Sequence, residues 1–308
     1  MTIKSIIIGL SVLGLISCKK ETEAPKDPDQ KTLSQVEDNS DLKSEGDQAN
    51  ADVTDALDNF KSINGRIARK VICGCEIDSV GEKTIRLRYD GVTPCGSPSR
   101  TRAGTITFQL IEKERWAMEG AVIQITLANY KVTRLSNSKS WTFNGTKYFT
   151  NVKGYGAYLQ YLAGTDSLMF RERAKDMNVV MNDGSQITYN IARTSSWKKI
   201  VYPNRSVIQF SNEGDTTING LDKIDAWGTN RFGNSFTNQY LSRFTSDSYC
   251  GFWRPRSGTI QHKSNGNILT INMGVNETGQ ADTRDCAYGW KINWNLSSGA
   301  SGEKIFSY

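Results

Sequence analysis

From residue 65 onward the chain alternates apolar and polar residues with a period of two. In Thr105–Glu112 the apolar positions are Ile106, Phe108 and Leu110, each flanked by polar neighbours. Successive side chains of a strand point to opposite faces, so such alternation marks a strand with one buried and one wet face. Thr84–Tyr89, Val122–Leu127, Gln186–Ile191 and Asn267–Asn272 repeat the pattern. Between them stand Asp90-Gly91, Asn144-Gly145, Asn182-Asp-Gly184, Asn219-Gly220 and Asn265-Gly266. These pairs accept the positive φ that a tight hairpin demands. With 27 glycines, 6 prolines and no helical stripe beyond residue 65, an all-β fold is expected. The expected form is an antiparallel multi-stranded meander over 65–296, closing as a sandwich or a barrel-like sheet. A subdomain boundary near 202–215 is left open, and 297–308 is expected to be a flexible tail.

The other end of the chain constrains location. Lys4 precedes a thirteen-residue apolar run, Ser5–Ser17, that is too short to span a bilayer, which takes about 20 residues. A charged start followed by such a run reads as a signal peptide over 1–17. It ends in Leu15-Ile16-Ser17-Cys18, the lipobox pattern, so Cys18 is expected to take a diacylglycerol and become the acylated N-terminus. Residues 18–64 then read as lipid anchor and acidic tether, too poor in apolar residues to fold alone. Val53, Leu57 and Phe60 have helical spacing, which allows a short helix at the domain's edge. Asp38-Asn39-Ser40-Asp41 has oxygen ligands but lacks the glycine turn and distal Glu of a calcium loop.

Charge divides at the same place. Residues 19–64 carry 12 acids and 6 bases, whereas residues 65–308 carry 20 acids and 31 bases. A folded part this basic suits an anionic polymer or a membrane face, or is simply a surface with surplus cations.

Beyond Cys18 there are five cysteines, Cys73, Cys75, Cys95, Cys250 and Cys286, in a chain expected to be exported. Cys250 and Cys286 bracket two strand-like runs and are expected to pair. Cys95 is expected to pair with Cys73 or Cys75, and one thiol stays over. Two segments echo each other: Cys95-Gly, an Arg-rich connector and Gly104-Thr-Ile106, beside Cys250-Gly, Arg254-Pro-Arg256 and Gly258-Thr-Ile260.

These landmarks, in order, resemble a family of uncharacterised envelope lipoproteins of Bacteroidota. The resemblance is carried by Cys95 with Ser99–Ile106, Gly145-Thr-Lys-Tyr-Phe-Thr150-Asn151, Ile187-Thr188 with Arg193-Thr194 and Trp197, and Cys250, Gly258–Ile260 and Cys286. It covers about 70–296. It implies export and a β fold with two disulfides, and it brings no activity to transfer. The extra cysteine of Cys73-Gly-Cys75 and the Arg254-Pro-Arg256 turn depart from the pattern.

Catalytic signatures are sparse. The single histidine, His262, lies in an alternating strand with no Gly-x-Ser-x-Gly elbow, so it reads as a surface or strand histidine and not as a triad member. Histidine-based zinc motifs need more histidines than one, and Gly154-Tyr-Gly156 is not a dinucleotide loop. No catalytic residue, metal ligand or cofactor is assigned. Carboxylate pairs such as Glu112 with Glu114, or Asp282 with Asp285, leave a glycoside hydrolase as the alternative reading. Binding is the preferred class. Trp197-Lys198-Lys-Ile-Val-Tyr202-Pro-Asn-Arg205 and Phe252-Trp253-Arg254-Pro-Arg256 join aromatic faces that stack on sugars to cations that hold acidic groups. The expected protein is an outer-membrane lipoprotein held by its N-terminal lipid, with an anionic polysaccharide or envelope protein as partner and no nucleic acid. Lys19 after the anchor, and the Lys-Lys-Glu-Thr-Glu that follows, resemble outer-membrane sorting and surface export.

Overall fold

The computed structural model describes residues 30–57, 71–96, 99–154 and 167–308. The leader, Cys18 and Phe60 lie outside the described residues. One helix, α1 (Gln30–Leu57), is followed by fifteen strands. They are β1 (Cys75–Gly81), β2 (Thr84–Asp90), β3 (Arg100–Glu112), β4 (Ala121–Arg134), β5 (Ser140–Asn151), β6 (Leu168–Met181), β7 (Gln186–Tyr202) and β8 (Arg205–Gly214). The rest are β9 (Thr216–Ile218), β10 (Leu221–Thr229), β11 (Ser235–Asp247), β12 (Ser257–Ser264), β13 (Asn267–Val275), β14 (Gly289–Asn295) and β15 (Ser301–Ser307).

All fifteen strands form one sheet, with every named pairing antiparallel. The path is a meander from β1 to β7, then β10 to β15. Strands β8 and β10 share the slot between β7 and β11. β10 pairs with Thr188–Ile191 of β7, and β8 pairs with Arg193–Tyr202 beyond it. The sheet therefore runs unbroken through 202–215, and no subdomain boundary falls there. Nor is the C-terminus a loose tail: β15 pairs with β14 over its whole length, and Phe306 stacks on Trp290 at 4.2 Å.

The sheet curls because four adjacent strands are bulged at matching heights. Register shifts fall at Ala103/Thr105, Leu127/Tyr130, Asn144/Lys147 and Ala174/Met177. Each bulge bends its strand and adds twist. Asn144-Gly145, expected as a hairpin turn, is one of these bulges. The Asn144 side chain accepts from the Asn129 amide, and a Cβ on Gly145 would sit 2.7 Å from Met177 Sδ. The other four Asn-Gly or Asp-Gly signals do fall between strands.

The concave face wraps α1. Leu42, Ala49, Val53, Ala56 and Leu57 belong to one buried cluster with Ile85, Leu87, Ile106, Phe108, Ile125 and Phe143. Residues 30–57, expected as tether, are thus the core's central element. Their buried positions, Gln35, Asp38, Asp41, Leu42, Glu45, Ala49, Asn50, Asp52, Val53, Ala56 and Leu57, form one stripe along the helix. Six of these eleven are polar, which hides the stripe from a hydrophobic pattern.

Candidate functional site

Two cation-rich regions stand out, one inside the sheet and one at its loop edge, where the β11–β12 and β13–β14 connections meet the ends of β7 and β8. Inside, the acids of α1 meet arginines that alternate onto the concave face. Asp41 and Glu45 take Arg134 at 2.6 and 2.9 Å, and Glu45 also takes Arg100 at 2.7 Å. Asp52 pairs with Arg102 and accepts from Tyr89 Oη at 2.6 Å. Asp38 accepts from Arg231 Nε at 2.6 Å, and Asp47 pairs with Arg193. Deeper, Glu172 lies between Lys147 at 3.1 Å and Arg193 at 2.7 Å.

Burial and charge compete along this seam. For Glu172 burial alone would raise the pKa, but Arg193 and Lys147 outweigh it and hold the carboxyl far below its ordinary value. For Asp38, Asp41 and Asp52 burial wins, and their pKa values rise despite their arginines. Buried ion pairs of this kind set position more than they stabilise, because desolvation consumes most of the attraction.

The seam is also incompletely satisfied. Among the described residues, Asp41 Oδ2, Lys43 Nζ and Asn50 Oδ1 of α1 are buried without a hydrogen-bond partner, as are Asp225 Oδ1 and Tyr240 Oη of the sheet. Each such atom costs about 1–3 kcal/mol. Lys43 keeps 29 % of its side chain open to solvent while its Nζ is enclosed. A cavity of about 60 Å³ lies here, lined by Lys43, Lys147, Arg193, Asp225 and Asn238 among others.

His262 also faces α1. It is a strand histidine but not a surface one: it is 2 % exposed, with Asn238, Asn39 and Gln35 within hydrogen-bonding distance and Phe236 beside its ring. Burial drives its pKa down to about 4, so it stays neutral.

The second region surrounds a disulfide. Cys250 is bonded to Cys286 and Cys73 to Cys95, leaving Cys75 as the free thiol, pushed up to about 11 chiefly by burial. The echoed segments carry the same device. In each, a positive-φ glycine, Gly104 or Gly258, faces a neighbouring strand's backbone with no room for a Cβ.

Around Cys250–Cys286 the predicted aromatics converge. Trp197 packs on Phe210 at 4.6 Å and Phe252 at 5.2 Å. By alternation Trp197 shares the face of β7 that carries Arg193. Trp253 is 68 % exposed, yet its indole is seated on Gly251, where a Cβ would lie 2.5 Å from Nε1. Tyr202, Tyr249 and Phe252 are also exposed. Arg205 lies over the Tyr249 ring at 4.0 Å and forks onto Asp285 at 2.7 and 3.1 Å. Arg254 donates from Nε to the Ala287 carbonyl at 2.9 Å, while Arg256 holds the buried Asp247 at 2.8 Å.

Of the predicted binding residues, Trp197, Trp253, Arg254 and Arg256 belong to this region. Lys198 is exposed and alternates to the opposite face of β7 from Trp197. Tyr202 and Arg205, which close the aromatic–cation run that starts at Trp197, belong to this region as well; sequence reasoning missed Tyr249, for which a tyrosine next to Cys250 was the available signal.

The carboxylate pairs are held by cations or lie in the open. Asp282 is gripped by Arg284, whose hydrogen bonds push its pKa far down, and Asp285 is lowered by Arg205. Glu112 and Glu114 are exposed, with Glu114 bound to Lys83 at 3.0 Å. Among the described residues no group of three or more His, Cys, Asp or Glu is placed to hold a metal ion, and no helix is long and apolar enough to cross a membrane. Comparison with known protein families, curated proteins and solved structures found no match.

Proposed function

We infer that this chain is a lipid-anchored protein of the bacterial outer membrane whose exposed aromatic–arginine cluster binds an anionic glycan. The observation that carries the reading is Trp253, an indole mostly open to solvent and seated on Gly251, with Arg254 next in the chain. A flat apolar face with a cation within reach is what stacking on a sugar ring and pairing with its acidic group require. The tie of Arg254 to a backbone carbonyl and the Cys250–Cys286 bridge keep that geometry ordered before binding. Since Asp282 and Asp285 are committed to arginines, glycoside hydrolysis gains no support from them.

Anchoring through Cys18 has a geometric consequence. Only residues 19–29 separate it from α1, a reach of at most about 40 Å, so the domain works close to the membrane surface.

Titration against an array of sulfated and uronic-acid polysaccharides tests the binding. The expected result is binding that weakens with added salt and falls about tenfold in Trp253→Ala and in Arg254→Gln. Arg256→Gln is the poorer probe because it strands the buried Asp247. Affinity for no acidic glycan, or affinity indifferent to both substitutions, would overturn the assignment. Mass spectrometry of membrane-extracted protein tests the anchor: the N-terminal fragment should begin at acylated Cys18, and an intact leader would refute it.

A further inference from the structure

The concave face is itself polarised. Along β3 the buried positions run from Arg100 and Arg102 to Ile106, Phe108 and Leu110. On the paired β4, Arg134 lies opposite Arg100, while Leu127, Ile125 and Ile123 lie opposite Ile106, Phe108 and Leu110. On these two strands a cationic end and an apolar end therefore follow each other, and β5 sets Lys147, paired with Glu172, opposite Ile125. A molecule with an anionic head and an acyl tail is complementary to that arrangement along its whole length.

The present occupant meets both ends. Asp41, Glu45 and Asp52 of α1 meet the three arginines, and Leu42, Val53 and Leu57 enter the apolar cluster, where Ala49 and Ala56 fill less of it. Three of its polar atoms are buried without a hydrogen-bond partner among the described residues. Seven acids against two lysines give it the charge of an anionic ligand.

We propose that the concave face is a binding site for an amphiphilic anion, a phosphate- or carboxylate-headed molecule with an acyl tail, and that α1 occupies this site in cis as a displaceable plug. The ligand's head takes Arg100, Arg102 and Arg134 from the helix carboxylates, and its tail lies along Ile106, Phe108 and Ile125. The proposal does not depend on the glycan site, which uses other residues.

The test is hydrogen exchange of the whole mature protein with dodecyl phosphate below its micellar concentration. Inorganic phosphate and dodecyl maltoside serve as the head-only and uncharged controls. Dodecyl phosphate should speed exchange across 30–57 at least tenfold while the strands stay protected, and neither control should do so. Asp41→Asn with Glu45→Gln should bind dodecyl phosphate about tenfold more tightly, and Arg134→Gln more weakly. Trp253→Ala should respond as the parent does, which separates this site from the exposed cluster. Should the paired variant fail to fold, the parent's exchange pattern still decides. The proposal is overturned if dodecyl phosphate does not bind, if it binds with α1 still protected, or if dodecyl maltoside opens α1 equally. Opening by inorganic phosphate alone would remove the tail from the proposal and overturn it in that form.

Discussion

The arginines inside the sheet and those around Cys250–Cys286 meet opposite surroundings. Arg100, Arg102 and Arg193 are buried or nearly so, and each faces a carboxylate from α1 or β6. Arg205 lies over the exposed Tyr249 ring and is braced by Asp285, and Arg254 is braced by the Ala287 carbonyl. The interior set can be charged only because Glu45, Asp47 and Asp52 of the helix and Glu172 of β6 face it. The edge set is wet and needs no such match. Removing a charge should therefore be costly inside and nearly free outside, whereas removing a ring outside should cost recognition without stability.

The sharpest test of the interior half is Glu172→Gln. It leaves Lys147 and Arg193 buried with their shared counter-charge gone, and one-sided loss of a buried pair costs about 3–5 kcal/mol. Urea unfolding followed by tryptophan fluorescence should show this as a lower midpoint. The same group sets an acid limit. Its folded pKa lies below the unfolded value of about 4.3, so its contribution is complete above that pH and is lost as pH falls through the folded value.

His262 comes next. Its pKa falls from 6.5 to about 4 on folding, so the unfolded chain binds the extra proton between those values. Stability should be full above pH 6.5 and decline by about 3 kcal/mol toward pH 4. Asp38, Asp41 and Asp52, raised by burial, slope the opposite way, so the informative quantity is the difference from His262→Gln. A glutamine there can still donate to Asn238 and accept from Asn39, and its profile should lack the His262 component. Parallel profiles for the two proteins would mean the imidazole is not buried against α1.

At the edge, replacing Cys250 and Cys286 by serine opens a cross-link between residues 36 apart. A loss of about 2–4 kcal/mol is expected, with glycan affinity falling further than the loss of stability alone predicts. Equal affinity after loss of the bridge would mean that Trp253 and Arg254 are ordered by β12 and β14 alone.

How far these regions were legible in the sequence follows from the same contrast. The strands announced themselves because Ile106, Phe108 and Leu110 bury apolar side chains at every second position. The aromatics at Trp197 and Trp253 were visible as residue types near cations. Helix α1 showed only at its end, in Val53 and Leu57, because Asp38, Glu45 and Asp52 occupy places in its buried stripe that apolar residues usually hold, and only the arginines of distant strands make that burial tolerable. The bulge at Asn144-Gly145 was misread for a related reason. A positive-φ pair looks the same in a turn and in a bent strand until Met177 of the neighbouring strand is in view.

Trp253→Ala should have the smallest effect on stability and a large one on function. The side chain is 68 % exposed and its contact with Gly251 is one-sided, so little apolar area returns to water when it is removed. Such surface changes usually stay within about 0.5 kcal/mol, and the unfolding midpoint should barely move. Acidic-glycan binding should still fall about tenfold, since stacking supplies a flat contact that Arg254 cannot replace. A midpoint that drops by several times that margin would place Trp253 in the support of the Cys250–Cys286 loop. The edge would then be built like the interior, and the contrast between the two regions would fail where the glycan is proposed to sit.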